Sequence, residues 1–166
     1  FSILPPTEQE ALLSLSIFEY PFTEIEAEQI LKVPIRLTYL LFSLKKKNII
    51  TIIQDQYYIH DSIRSLVSDM QPKNSKGIAH FKMAKYYRTF LEKEYVSKGE
   101  VLYEDIHKWG YHLEHVDTEN LMPEQKRLLE LDNQYLDALW AIQRFGYPFA
   151  FSDPTLKQAK PVVRYL

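Results

Sequence analysis

Cysteine is absent from this chain and glycine is scarce, with four among 166 residues. Without cysteine there is no disulfide, no thiolate nucleophile and no Cys-ligated zinc, which points to an intracellular, cytoplasmic setting. The few glycines form no G-x-x-x-x-G-K-[ST] phosphate loop, and there is no G-x-S-x-G elbow. No apolar run approaches the roughly eighteen residues of a membrane span, and no signal-peptide pattern opens the chain. The net charge of −2 exerts no global pull on nucleic acid. These absences predict a chain that is not itself an enzyme, carries no metal or cofactor of its own and stays off membranes. The first residue is Phe1 rather than Met, which predicts a piece of a longer protein whose upstream part is missing.

What is present is core material: 46% hydrophobic and 14% aromatic residues, enough to exclude wholesale disorder. Thr7-Glu8-Gln9-Glu10 has the form of a capping box, with Ala11, Leu12, Leu15 and Phe18 following on one face of a first helix. Thr23-Glu24-Ile25-Glu26 is a second box, starting a short helix with Ala27, Ile30 and Leu31 inward. Pro34 suits the first turn of a third helix, in which Leu37, Leu40, Leu41 and Leu44 form a buried stripe and Asn48 a stop. Ile49, Ile50, Thr51, Ile52 and Ile53 are all β-branched, Gln54-Asp55-Gln56 is a polar turn, and Tyr57-Tyr58-Ile59 is the return strand. Asp61 is placed to cap a fourth helix with Ile63, Leu66, Val67 and Met70 at helical spacing. Three helices, two strands and a helix is the winged-helix order, over residues 1–70.

Gln71 to Gly77 reads as a linker. A helical module is expected over 78–145: a helix from about Ile78 to Glu94 with apolar residues around much of its circumference, an amphipathic helix on Leu102, Ile106, Trp109, Leu113 and Val116, and another opened by Pro123. In that last helix Leu128, Leu131, Tyr135, Leu139 and Ile142 mark the apolar stripe. Pro148, Pro154 and Pro161 make 146–166 an irregular tail. The class is mainly α, a winged helix followed by a helical bundle or helical-hairpin module, although no repeat of about thirty-four residues is visible.

The segment Tyr58-Ile59-His60-Asp61-Ser62-Ile63-Arg64 resembles the tyrosine-x-methionine-histidine-aspartate-x-x-arginine segment of the STAND signal-transduction ATPases, the NB-ARC and related families. Leu4 to Phe18 is similar to the opening of their winged-helix module, and Pro21-Phe22-Thr23 to the start of its second helix. Ala84-Lys85-Tyr86-Tyr87 and Tyr111-His112-Leu113 are looser matches to the helical module beyond. Ile59 departs from the family's usual methionine. The resemblance implies a regulatory arm folded back on an upstream NTPase domain of the same chain, with ADP or ATP bound there and a downstream protein partner. By position, His60 would contact the β-phosphate of ADP and Asp61 would cap and orient the helix behind it. Read from the residues alone, the His-Asp pair is a cap and packing element.

Two other functions are open. A DNA-binding winged-helix regulator would use the outer face of the third helix, Arg36, Thr38, Tyr39, Phe42, Ser43, Lys45 and Lys46. Against that, the wing tip carries Asp55 and no cation, and Tyr39 and Phe42 suit a protein contact. A plain protein-interaction module without a nucleotide link is the other. His107, His112 and His115 with Glu104 and Asp105 resemble a metal cluster, but on one helix His107 and His112 point about 140° apart. No metal site is expected.

Overall fold

The computed structural model describes residues 3–31, 36–98 and 102–145. Its elements are α1 (Pro6–Leu15), α2 (Glu24–Ile30), α3 (Leu37–Lys46), β1 (Ile50–Ile53), β2 (Gln56–Ile59), α4 (Asp61–Met70), α5 (Lys73–Lys98), α6 (Tyr103–Glu114) and α7 (Pro123–Phe145). The protein is mainly α-helical: a three-helix and β-hairpin unit of winged-helix order, then a helical bundle. Two compact units, Phe1–Met83 and Ala84–Leu166, divide the chain inside α5.

Local chemistry accounts for most element ends in the first unit. Thr23 Oγ1 accepts from the Glu26 N–H at 3.2 Å while Glu26 Oε2 accepts from the Thr23 N–H at 2.5 Å, the reciprocal box that starts α2. The box expected at Thr7 does not form, because α1 begins two residues earlier than that cap implies. Pro5 is its N-cap and Pro6 its first residue, where a fixed φ and a missing N–H are already compatible with a helix start. Glu8 instead turns inward, where Ser43 Oγ donates to it at 2.8 Å and Lys47 pairs with it, tying α1 to α3.

Asn48 ends α3 at φ 57°. The Ile49 N–H reaches Leu44 O at 3.1 Å and the Asn48 N–H reaches Lys45 O at 2.9 Å, the paired bonds of a Schellman stop. The wing then turns on two residues, not three. Gln54 and Asp55 both have positive φ (49° and 63°), and Gln56 already pairs with Ile53 in the antiparallel ladder. Two left-handed residues give the turn a twist that matches the flanking strands. On the other side of the hairpin, Phe22 and Tyr57 exchange backbone bonds of 2.8 and 2.7 Å.

Leu12, Leu15, Phe18, Phe22, Leu41, Leu44, Ile50, Ile59 and Val67 form the core of this unit, with the Phe18 and Phe22 rings stacked at 4.6 Å. Helix α4 buries less than its spacing predicts. Val67 is inside, but Leu66 is 64% and Met70 51% exposed. Pro34 lies outside the described residues, as does the 146–166 tail.

The expected 71–77 linker is not one. Only Gln71 and Pro72 stand between α4 and α5, and Lys73 to Gly77 are the first turns of α5. Gly77 is tolerated inside a helix of 26 residues at a cost of about 1 kcal/mol, which the rest of the helix absorbs. In the second unit α6 and α7 run as expected from Tyr103 and Pro123 and pack closely. A Cβ on Gly110 would lie 3.2 Å from Leu136 Cδ2, so the missing side chain sets their approach. The buried stripe of α7 is rotated by one residue from the expected one. Leu129, Asp132 and Leu136 are inside, whereas Leu131 is 39% exposed.

Candidate functional site

His60 is the N-cap of α4, in a near-extended conformation (φ −54°, ψ 135°), and its side chain makes no capping bond. The ring is exposed and lies edge-on to Tyr58, with centroids 6.1 Å apart. Asp61 is the first helical residue and not the cap. Its carboxylate accepts from Tyr58 Oη at 2.7 Å and lies 3.5 Å from Arg64 Nη2, one turn along α4. These two groups hold the carboxylate that a cap would aim at the α4 backbone. Asp61 still favours the helix electrostatically, as an anion in the first turn. The pair is therefore neither a side-chain cap nor a packed core element.

The hydrogen bond from Tyr58, assisted by the charge of Arg64, holds the Asp61 carboxyl below the usual aspartate range. The same bond pushes the Tyr58 phenol up. Arg64 continues the chain of contacts: Nη1 donates to Glu19 Oε1 at 3.1 Å, in the turn after α1. Arg64 Nε is buried with no hydrogen-bond partner among the described residues. The result is an exposed imidazole beside an ordered Tyr58–Asp61–Arg64–Glu19 string. The Asp61–Arg64 step was visible in the sequence as an i, i+3 pair. Glu19, 45 residues from Arg64, left no such signal.

The other candidate residues lie on or beside α3. Arg36, Thr38, Tyr39, Phe42, Lys45 and Lys46 are exposed and Ser43 is half-buried, held by Glu8, while Leu37, Leu40, Leu41 and Leu44 face the core. The histidines of α6 diverge. His107 is exposed against Tyr103 and Trp140, His112 is fully buried and stacked on Tyr87, and His115 is exposed with Nδ1 2.7 Å from Tyr111 O. Among the described residues no group of three or more His, Cys, Asp or Glu side chains is placed to hold a metal ion. Nor is any described helix long and apolar enough to cross a membrane.

The polar pair that sequence reasoning missed is in the second unit. Asp132, 2% exposed, accepts from Arg88 Nη1 at 2.8 Å, and the Arg88 guanidinium lies over the Tyr135 ring at 5.2 Å. Burial pushes the Asp132 carboxyl up to about 6, against the pull of Arg88 and with a further push from Glu92. A charged residue on an apolar stripe gives no periodic signal, so composition alone could not find it.

Comparison with protein-family models, with curated proteins and with solved structures gives no match.

Proposed function

We propose that the winged-helix unit is the regulatory, non-catalytic arm of a STAND-type ATPase, presenting His60 to a nucleotide bound on a separate NTPase domain. The observation that carries this reading is the freedom of the His60 ring. It is exposed at the start of α4 while its neighbour Asp61 is tied down by Tyr58 and Arg64. A histidine so placed can donate to a phosphate oxygen without disturbing the fold, and the string behind it transmits the contact to Arg64 and Glu19.

The residues here fit one hydrogen bond, not a nucleotide pocket. Arg64 already serves Glu19 and Asp61, and those two carboxylates disfavour a second anion close by. The phosphate cradle and magnesium ligands therefore belong to the partner domain, with ADP as the state that His60 stabilises. The helical unit relays that state to a downstream protein partner.

His60→Ala in the full-length protein tests the reading. Loss of one charge-assisted hydrogen bond, worth roughly 1.5–3 kcal/mol, lowers ADP affinity by about ten- to a hundredfold in calorimetry. The melting temperature of the isolated chain stays unchanged, because the ring makes no core contact. Unaltered ADP affinity rejects the proposal, as does a parent reading frame that encodes no Walker A loop upstream.

A further inference from the structure

Helix α3 turns two large rings to solvent. Tyr39 is 65% and Phe42 53% exposed, and residues three apart on a helix are neighbours on one face. The opposite face is complete without them: Leu37, Leu40, Leu41 and Leu44 are buried in the core. Cations stand at both ends of the ring pair. Arg36 is exposed at the N-cap, and Lys45 and Lys46 are exposed in the last turn. Arg36, Tyr39, Phe42 and Lys46 thus line one stripe covering roughly 15 Å of helix axis.

Among the described residues the charges on this stripe are not taken up by carboxylates. Lys47, next in sequence, is drawn to Glu8, but among the described residues no carboxylate pairs with Arg36, Lys45 or Lys46. Lys46 Nζ instead lies 4.8 Å from the centroid of the Phe42 ring. Glu24 sits at the edge of the face, where it accepts from the Thr38 hydroxyl at 2.5 Å. Exposed aromatic anchors within a cationic frame are complementary to an apolar surface framed by carboxylates.

We propose that this face of α3 docks an acidic amphipathic helix of a partner protein. Apolar side chains of the partner cover Tyr39 and Phe42, and its carboxylates meet Arg36 at one end and Lys45 and Lys46 at the other. This site is independent of His60 and of any nucleotide. Duplex DNA fits the face less well. Between Arg36 and Lys45 the helix offers no Arg, Lys, Asn or Gln to read base edges, and the adjoining wing carries Asp55 without a cation.

The test is selection of a random helical-peptide library on the whole chain, followed by anisotropy titration of an enriched peptide. The expected peptides carry an apolar pair flanked by Glu or Asp on the same helical face. Tyr39→Ala and Phe42→Ala each weaken the enriched peptide by about tenfold or more, as anchor residues do. Lys45→Glu with Lys46→Glu abolishes its binding, while circular dichroism shows all variants folded, since none of these side chains is in the core. The proposal is overturned if no peptide enriches, if the enriched peptides show no acidic bias, or if binding survives both aromatic substitutions. It is equally overturned if a random-sequence duplex binds more tightly than the peptide, or if sedimentation shows a dimer of the chain that Phe42→Ala dissociates.

Discussion

Arg88 reaches 44 residues along the sequence to donate Nη1 to Asp132 Oδ1 at 2.8 Å, where the aspartate is 2% exposed. The bond compensates a carboxylate that burial would otherwise exclude, and it does so incompletely, since the group titrates at about 6. Replacing one member of such a pair exposes the other to the full cost of desolvation.

The folded protein thus holds the Asp132 proton more tightly than the unfolded chain. The contribution of this group to stability is fully present below its ordinary value of 3.8 and is lost as pH rises through about 6. Urea unfolding of the wild type should show the second unit losing roughly 1–3 kcal/mol between pH 5 and 7.5 from this group. Asp132→Asn should flatten that slope. Arg88→Met should cost about 3 kcal/mol at pH 7.5 and less at pH 5, where Asp132 takes up its proton. An Arg88→Met penalty that is equal at the two pH values would show that the pair is not the source.

A second prediction concerns the string behind His60. The Tyr58 hydrogen bond is the leading cause of the low Asp61 pKa, so Tyr58→Phe should move that carboxyl back up toward the ordinary aspartate range. Carboxyl-carbon NMR titration of the two proteins reads the shift directly. An Asp61 titration that is identical in both proteins would mean that Arg64 alone sets it.

The two threonines that open capping-box patterns should behave differently. Thr23→Ala removes an acceptor that the structure uses and should cost about 1 kcal/mol in chemical denaturation of the first unit. Thr7→Ala removes no capping bond, because α1 starts on Pro6, and should fall within about 0.5 kcal/mol of the wild type. Equal losses at the two positions would count against this assignment of the helix starts.

That contrast shows where local sequence is sufficient. The Thr23 box, the Asn48 stop, Pro123 at the head of α7 and the leucine stripe of α3 each depend on interactions within a few residues, so they were readable in order along the chain. The winged-helix succession followed from them. The wing turn was readable as a turn but not in length, because Gln54 adopts a left-handed conformation that its side chain does not announce.

His60 was legible as a candidate through the motif around it, and its exposure on α4 was not. Whether a residue at a helix start caps, packs or faces solvent depends on what approaches it. Here Tyr58 arrives from β2 and Arg64 is held by Glu19, contacts that close only when the chain folds. The exposed Leu66 and Met70 make the same point in reverse, since helical spacing marks an apolar face without saying that anything covers it.

By itself the sequence determined the mainly α class and the order of elements, because these follow from residue types and short-range spacing. The tertiary structure alone decided that Asp132 lies inside and Leu131 at the surface, that Arg88 is its partner, and that Asp61 serves Tyr58 rather than the α4 backbone. Those outcomes balance desolvation against pairing between residues distant in sequence, and that balance exists only once the elements have packed.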